Sequence, residues 1–365
     1  MAEVDLSAIS HNIKAIKEKV APARVMAVVK ANAYGHGVLP TSRVALQSGA
    51  DSLGVALVEE GAELREKGFR APILVFGGML PEQADEFVRY DLQATVYDDQ
   101  ALAALQQTAR RQQKQALVHV KIDTGMGRVG IPWTEAEAFI KKVAATENIA
   151  LQGVYTHFAT SDEMDKSFTH LQLSRFKEIV TACERDGIHI PIKHAANSGA
   201  ILDVPESYFD LVRPGVMMYG YYPSTETTES VAIKAAMTFK TRVLHIKEIE
   251  RGTSVSYGRT FMARQKSRVA TLPVGYADGY NRLLSNQGEV LIRGRKFPVI
   301  GRVCMDLIMV DLGGDKEIRI GDEVVLFGWQ NGQQVSVQSI CDKLNTIPYE
   351  VTCWVSQRVP RVYKK

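Results

Sequence analysis

The stretch VMAVVKANAYGHG (25–37) decides the fold, because it joins a short apolar run to a polar turn rich in small residues. The run VMAVVK is rich in β-branched residues and too short for an ordinary helix, which favours a buried strand. Strands that are apolar on both faces are typical of a parallel sheet covered by helices. Seven further runs of this kind follow: SLGVAL (52–57), PILVFG (72–77), QATVYD (93–98), ALVHVKI (116–122), LQGVYTHF (151–158), PIKHAANS (191–198) and LVRPGVMMYG (211–220).

The stretches between these runs have the periodicity of amphipathic helices. Residues 98–113, 133–146 and 166–186 are the clearest, and Gly187 is a candidate C-cap for the last of them. Strands that alternate with helices eight times favour an α/β fold with an N-terminal (β/α)8 TIM-like barrel. An open, doubly wound sheet is the alternative, but no GxGxxG motif follows the first strand.

Beyond about residue 235 the pattern changes to alternating apolar and polar residues with glycine-rich turns. The segments SRVATLPVGYADGY (267–280) and GEVLIRGRKFPVIGRVCMDLIMVDLG (288–313) are examples, and VSVQSICDKLN (335–345) is a helical piece among them. Such alternation is typical of antiparallel strands with one solvated face. The sequence therefore predicts a C-terminal, mostly β domain.

Composition and charge exclude several classes of protein. Of the 365 residues 45% are hydrophobic and 23% charged, which excludes a disordered or collagen-like chain. The net charge is only +3 and no block of like charge occurs, so we expect no nucleic-acid partner. The N-terminus lacks the features of a signal peptide and no apolar run reaches the ~20 residues of a spanning helix, so we expect a cytoplasmic protein without membrane contact. Reduced thiols and no bound metal are expected, because no metal-binding spacing connects Cys183, Cys304, Cys341 and Cys353.

Polar residues gather at the carboxyl ends of the predicted strands, where the site of a (β/α)8 barrel forms. Lys30 ends the first strand, and it is either a Schiff-base nucleophile or a lysine whose ammonium reaches solvent. The histidines have no metal-ligand spacing, so hydrogen bonding is the better interpretation of His157. Together these ends indicate one shared site, to which later strands add Arg128, His157, Asn197, Ser198 and Arg213.

The segment AVVKANAYGHG (27–37) resembles the cofactor-lysine motif of the alanine racemase family, which consists of fold-type III pyridoxal-phosphate enzymes. The resemblance implies a barrel in residues 9–235 and a β domain formed by residues 1–8 with 236–365. It also implies a homodimer in which each active site combines the barrel of one subunit with the β domain of the other. Further segments resemble family motifs in family order: KIDTGMGRVG (121–130), YTHFATSDE (155–163), HAANSGA (194–200), RPGVMMYG (213–220), SVSYGRTF (254–261), VGYADGYNR (274–282), GRVCMDLIMVD (301–311) and IPYEVTC (347–353).

The resemblance implies specific roles for residues at matching positions. Lys30 would bind pyridoxal phosphate as a Schiff base and act as the base on one face of the substrate. Tyr257 from the second subunit would be the base on the other face, and Arg213 would hydrogen-bond the pyridine nitrogen. Arg128 would support the cofactor's phenolic oxygen and bind the substrate carboxylate together with the Met305 backbone. The other cofactor contacts would come from Tyr34, His157, Asn197, Ser198, Gly215, Val216 and Tyr349.

Residues around this centre have implied supporting roles. His157 would support Tyr257, and His194 would orient Arg213. Lys121 matches a position that is carbamylated in some family members. The passage through which substrate enters would be lined or supported by Asp162, Tyr276, Arg282, Arg302 and Asp306.

The implied activity is the interconversion of L-alanine and D-alanine, which supplies D-alanine for peptidoglycan. A serine racemase or a racemase of broader specificity on the same fold is the alternative. A decarboxylase of the related barrel-plus-β class is disfavoured by Tyr257 and the YTHFATSDE segment (155–163). A non-enzymatic pyridoxal-phosphate-binding protein would leave residues 236–365 unexplained.

Overall fold

The structure is a computed structural model that describes residues 1–364, and the chain divides into two compact units. The barrel unit comprises Ala8–Ala33 and Val38–Lys234. The β unit comprises Met1–Ser7, Tyr34–Gly37 and the chain from Ala235 onward. The short segment Tyr34–Gly37 lies inside the sequence range predicted for the barrel, yet it packs with the β unit.

The secondary structure is numbered here in chain order. The strands are β1 (Ala2–Asp5), β2 (Arg24–Val28), β3 (Ser52–Val55), β4 (Ile73–Val75), β5 (Gln93–Val96), β6 (Ala116–Asp123), β7 (Ile131–Pro132), β8 (Ile149–Tyr155), β9 (Lys193–His194), β10 (Leu211–Val212), β11 (Met237–Arg242), β12 (His245–Ile249), β13 (Ser254–Val255), β14 (Phe261–Met262), β15 (Ser267–Leu272), β16 (Glu289–Ile292), β17 (Arg295–Ile300), β18 (Ile308–Gly313), β19 (Glu323–Gln330), β20 (Gln333–Val335) and β21 (Arg361–Lys364). The helices are α1 (Leu6–Val20), α2 (Val38–Gln47), α3 (Val58–Glu66), α4 (Ala84–Arg89), α5 (Asp99–Gln112), α6 (Ala136–Ala145), α7 (Ser167–Arg185), α8 (Ser198–Asp203), α9 (Val337–Leu344) and α10 (Pro348–Trp354).

Parallel strands in the order β10-β2-β3-β4-β5-β6-β8-β9 build the barrel unit, and helices alternate with them along the chain. Backbone hydrogen bonds draw the two ends of this sheet together: Asp210 donates to the Lys193 carbonyl at 3.1 Å, and Arg213 donates to the Ala196 carbonyl at 3.0 Å. The result is a nearly closed barrel. The predicted α/β barrel fold is confirmed.

The last two barrel strands are much shorter than the apolar runs predicted. The run 211–220 leaves the ladder after Val212, since Pro214 has no N–H to donate and Val216–Tyr219 forms a 3₁₀ turn. The run 191–198 pairs only at Lys193–His194. Polar residues that follow each strand are therefore released from the sheet and become available for a site.

Antiparallel pairing dominates the β unit, whose main sheet has the order β12-β15-β18-β17-β16-β19-β11-β1-β21. Strand β1 inserts between β11, which it pairs antiparallel, and β21, which it pairs parallel. The first residues of the chain thus complete a sheet made almost wholly from its C-terminal part. The predicted mostly β domain is confirmed, with α9 and α10 as its helices. No helix within residues 1–364 is long and apolar enough to cross a membrane.

The backbone directly after Lys30 takes a left-handed turn. Residues Ala31, Asn32, Ala33 and Tyr34 have φ of 54°, 52°, 55° and 51°. Left-handed conformation costs about 1–2 kcal/mol per L-residue, so the turn has to be held by other contacts. Within the barrel unit the Ala31 N–H donates to the Glu60 carboxylate at 2.6 Å, and the Val38 N–H donates to Asn32 Oδ1 at 2.8 Å.

This strain predicts an unusual response to glycine. Ala31→Gly removes the Cβ that disfavours φ near 54°, which should stabilise the folded state by about 1–2 kcal/mol. Glycine also gives the unfolded chain more conformational freedom, which offsets about 0.5–1 kcal/mol of this gain. We expect Ala31→Gly to leave the free energy of unfolding unchanged or to raise it by up to about 1.5 kcal/mol. The matched control is Ala103→Gly on the exposed face of α5, which should lower it by about 1 kcal/mol. Urea unfolding at fixed protein concentration measures both, and equal losses in the two variants would contradict the prediction.

Candidate active site

A buried guanidinium lies at the carboxyl ends of the barrel strands. Arg213 is 4% exposed, and its Nη1 donates to His194 Nδ1 at 2.8 Å. Its Nη2 donates to the carbonyls of Thr156 at 2.7 Å and Ala195 at 2.9 Å, and lies 3.4 Å from His157 Nδ1. Burial lowers the pKa of Arg213 to about 10, so the group is still protonated at neutral pH. Among residues 1–364 no acceptor binds its Nε–H, which leaves a donor for a ligand.

The ring of Tyr155 supports this centre from one side. It stacks on His194 with the ring centroids 4.7 Å apart and the planes 8° from parallel. Arg213 Cζ lies 5.3 Å and Lys121 Nζ 4.8 Å from the Tyr155 centroid, within the range of cation–π attraction. The Tyr155 hydroxyl is 2.9 Å from Thr95 Oγ1, and burial raises the pKa of this tyrosine to about 12. Tyr155 is thus a neutral platform under the Arg213 guanidinium and the Lys121 amine.

Positive charge is concentrated around His157. Burial is the main cause that lowers the pKa of His157, and electrostatic interaction with four basic side chains acts in the same direction: Arg213, Lys121, Arg128 and Lys30. The strand ends that the sequence singled out therefore do face one another. Such a cationic enclosure suits an anionic ligand, such as a phosphate or a carboxylate.

Lys121 is buried on β6, and burial lowers the pKa of its amine well below its ordinary range, with Arg213 and Arg128 acting in the same direction. The neutral amine is the form that reacts with carbon dioxide. The carbamylation implied for this position stays a prediction.

Asn197 and Ser198 organise the loop after β9. Asn197 Oδ1 accepts from the Ala200 N–H at 3.1 Å, which caps α8, and from Ser161 Oγ at 2.7 Å. Ser198 Oγ accepts from the Gly215 N–H at 3.0 Å and so joins this loop to the turn that contains Val216. A second loop contains Asp162, whose carbonyl accepts a hydrogen bond from Ser224 Oγ.

Lys30 and Arg128 occupy the more open part of the barrel unit's strand ends. Lys30 lies half-buried two residues beyond β2, at the start of the left-handed turn. Arg128 is exposed in the loop after β6, where the Asp123 carboxylate accepts from the N–H groups of Gly125 and Gly127. Both side chains are accessible to a ligand that binds at this end.

In the β unit, Tyr257 projects from the turn between β13 and β14 and is 73% exposed. The preceding Ser256 has φ 68° and ψ −177°, a region that is nearly restricted to glycine. Its Oγ donates to the Arg302 carbonyl at 2.7 Å, which fixes the turn. The structure thus brings the predicted residues Tyr257 and Arg302 together.

A second group of predicted residues in the β unit comprises Tyr276, Met305 and Asp306. The Ala277 N–H donates to the Met305 carbonyl at 3.1 Å, which holds the Tyr276 turn against Met305. Asp306 Oδ1 accepts from Arg358 Nη2 at 2.6 Å. Arg282 follows in a 3₁₀ turn, and the rings of Tyr34 and Tyr349 lie 6.0 Å apart elsewhere in the same unit.

Several contacts were missed by sequence reasoning. Glu60 binds the N–H groups of Ala31 and Ala56, and its position as the third residue of α3 predicts only a helix cap. Arg358 links Asp278 to Asp306, and nothing in its sequence context indicates this.

Comparison with known proteins covers both units. A family model described as "Alanine racemase, N-terminal domain" matches residues 4–223, and one described as "Alanine racemase, C-terminal domain" matches residues 236–363. A curated alanine racemase from Halothermothrix orenii is 48% identical over 364 residues, which are 100% of this chain and 96% of that protein. The solved alanine racemase of Clostridium difficile 630 superimposes with a TM-score of 0.95 at 38% identity, covering 100% of this chain and 95% of that one. That of Bartonella henselae, solved with covalently bound pyridoxal phosphate, gives a TM-score of 0.90 at 30% identity and covers 100% and 99%.

The buried histidines predict loss of stability in mild acid. Burial lowers the pKa of His119 to about 3 and that of His194 well below its ordinary value, so the unfolded chain binds protons that the folded chain does not. Stability is complete above about pH 6.5 and falls as the pH drops below it. His157, whose pKa burial lowers in the same way, adds to this, and with three imidazoles contributing the free energy of unfolding should fall by up to about 4 kcal/mol per pH unit.

Urea unfolding between pH 7.5 and 5 measures this slope. His189→Gln, at an exposed position, is the control and should leave the slope unchanged. A free energy of unfolding that stays constant down to pH 5 would contradict the neutral, buried state of His119 and His194.

Proposed function

Since the chain belongs to the alanine racemase family of isomerases, we propose that it interconverts L-alanine and D-alanine with pyridoxal phosphate as cofactor. The observation that carries the proposal is the buried, donor-only guanidinium of Arg213, surrounded by cations at the strand ends. The same centre would bind the cofactor's pyridine nitrogen through Arg213 and its anionic groups through the surrounding positive charge.

The residues present fit this cofactor. The Arg213 Nε–H, unpartnered among residues 1–364, can donate to a ring nitrogen, and Lys30 can bind an aldehyde through its amine. Ser198, Gly215 and Val216 in the barrel unit and Tyr34 and Tyr349 in the β unit would hold the phosphate, with Asn197 shaping the loop. When bound, pyridoxal phosphate supplies the electron sink that makes the α-proton of an amino acid removable.

Racemisation needs a proton removed from one face of the substrate and another returned to the opposite face. We assign the first face to Lys30 Nζ and the second to the hydroxyl of Tyr257, because both groups can hold and release a proton. Arg128 and the Met305 backbone would bind the substrate carboxylate. Arg213 donates without giving up its proton, which disfavours side reactions that need a protonated ring nitrogen.

A second subunit would bring the two bases together. Tyr257 is 73% exposed, and Tyr276 and Met305 in the same unit are also exposed, which is unusual for large apolar side chains and supports an interface. His157 would support Tyr257, and Asp162, Arg282, Arg302 and Asp306 would line or brace the passage for substrate. We further propose that the enzyme is a cytoplasmic homodimer and that its D-alanine is used for peptidoglycan.

The function is tested by incubating the purified protein with L-alanine, L-serine and L-ornithine in separate reactions. We expect D-alanine from chiral analysis, little D-serine, and no carbon dioxide from any substrate. A faster reaction with serine would favour the broader-specificity alternative, and carbon dioxide release from ornithine would overturn the proposal in favour of a decarboxylase.

Replacing the proposed cofactor lysine should abolish covalent binding. Lys30→Ala is expected to lose all detectable racemisation and the visible absorbance of the bound cofactor, because no other amine is assigned to hold it. Borohydride reduction followed by peptide mass spectrometry should label Lys30 in the unsubstituted protein. Lys14→Ala, an exposed position in α1, is the control. A reducible cofactor bond that persists in Lys30→Ala would refute the assignment.

Mixing two inactive variants tests the shared site. Lys30→Ala and Tyr257→Phe each inactivate both active sites of their own homodimer. A mixed dimer, in contrast, contains one site with both substitutions and one site with neither. After unfolding and refolding an equal mixture, random pairing should recover about a quarter of the unsubstituted activity. Recovery should be absent if Lys30 and Tyr257 of the same chain form each site.

A further inference from the structure

A chain of buried polar side chains continues beyond His194 into the barrel unit. His194 Nε2 lies 3.0 Å from His119 Nδ1, and His119 Nε2 lies 3.2 Å from Gln93 Oε1. The three residues come from β9, β6 and β5, and all are buried. Neither His119 nor Gln93 has a role in the reaction proposed above.

Arg213 sets the donor-to-acceptor direction of this series of hydrogen bonds. Arginine can only donate, so the 2.8 Å contact from Arg213 Nη1 requires a lone pair on His194 Nδ1 and places the proton of His194 on Nε2. That proton is donated to His119 Nδ1, which places the proton of His119 on its own Nε2. Gln93 Oε1 accepts it and ends the chain. Each contact then joins one donor to one acceptor.

The backbone is shaped to hold the His119 ring in this position. The pairing of β6 with β8 shifts register between Val118 and His119, so that His119 lies opposite Gly153 and Gln152 is extra. Such bulges redirect side chains. A Cβ on Gly153 would lie 2.8 Å from His119 Nδ1 and 2.4 Å from the Ile192 carbonyl oxygen, so the ring position depends on glycine at 153.

The two histidine rings meet edge to face, with centroids 5.1 Å apart and planes at 80°. This geometry directs a nitrogen of one ring at a nitrogen of the other. It is stable only if one of the two is protonated and the other is not, since two facing N–H groups would repel and two lone pairs would leave buried acceptors unsatisfied.

We propose that Gln93 and His119 are positioning residues that fix the tautomer of His194 and thereby hold the Arg213 guanidinium facing the cofactor's pyridine nitrogen. The statement about the cofactor's pyridine nitrogen rests on the proposed function, whereas the tautomers of His119 and His194 are properties of the protein alone. Without the Gln93 acceptor, the buried Nε2–H of His119 would have no partner, so the tautomer with its proton on Nδ1 becomes more favourable. His194 would then carry its proton on Nδ1, directly against a donor of Arg213.

The first test locates the protons in the unsubstituted holoenzyme. Neutron diffraction from deuterium-exchanged crystals should show deuterium on Nε2 and none on Nδ1 of both His119 and His194. Deuterium on Nδ1 of either ring, or on both nitrogens, would overturn the proposal.

The second test removes the terminal acceptor. Gln93→Met keeps the length of the side chain and loses the oxygen, and kcat should fall by about 10- to 100-fold, the usual effect of losing a residue that orients a ligand-binding group. The KM for alanine should change by less than about 3-fold, because Gln93 is not expected to touch substrate. The absorbance spectrum of the bound cofactor should shift as the Arg213 contact weakens.

Ser52→Ala on β3 is the matched control. Ser52 is also buried on a barrel strand, and its hydroxyl has no hydrogen-bond partner among residues 1–364, so kcat and the cofactor spectrum should stay unchanged. Gly153→Ala is the second variant, since it displaces the His119 ring while keeping Gln93, and it should reproduce the loss of kcat. A folded Gln93→Met protein with unchanged kcat and spectrum would overturn the positioning role.

The outcomes separate this inference from the proposed function. If the unsubstituted protein does not racemise alanine but has both protons on Nε2, the proposed function fails and the hydrogen-bonded chain stands. If it racemises alanine with a proton on Nδ1 of His194, the function stands and the positioning inference fails.

Discussion

The buried positive charge of Arg213 is the constraint that determines how residues are arranged at the carboxyl ends of the barrel strands. A buried guanidinium costs several kcal/mol unless its N–H groups are satisfied, and none of its hydrogen-bond partners among residues 1–364 is a carboxylate. Instead its partners are two carbonyls and the imidazoles of His194 and His157, and the ring of Tyr155 lies beneath it. Neutral partners leave the positive charge uncompensated, so an anionic ligand gains affinity from the fold itself.

The need for acceptors also explains why the barrel differs from one filled by aliphatic layers. An apolar layer of Met26, Leu74 and Leu211 closes part of the interior, and Tyr155 borders it. Toward the strand ends the interior becomes polar, and short strands such as β9 release carbonyls that a longer ladder would have used. One of the Arg213 acceptors, the Ala195 carbonyl, directly follows β9, and another, the Thr156 carbonyl, directly follows β8. Early strand termination and the buried charge are therefore parts of one arrangement.

Sequence patterns predicted the barrel well because apolar strands and amphipathic helices have strong periodicities. Periodicity could not predict the His194–Arg213 contact, which joins residues 19 apart in sequence and forms only when the sheet curls on itself. That contact was expected only from the family resemblance. His119 was within reach of pattern reasoning, since it lies two residues before Lys121 on the same face of β6. The left-handed turn after Lys30 was not, because alanine at 31 and 33 favours the opposite hand.

The segment Tyr34–Gly37 has a consequence for exchanging parts between relatives. It belongs to the β unit although barrel sequence flanks it on both sides, and Arg361 Nε donates to the Gly35 carbonyl at 3.1 Å. A Cβ at Gly35 would lie 2.3 Å from the Thr352 carbonyl oxygen, and one at Gly37 2.0 Å from the Tyr363 hydroxyl. A chimaera joined near residue 235 thus inherits two pieces of its β unit, Met1–Ser7 and Tyr34–Gly37, from the wrong parent. Recombination between family members is compatible only where both parents keep these glycines and the backbone that covers them.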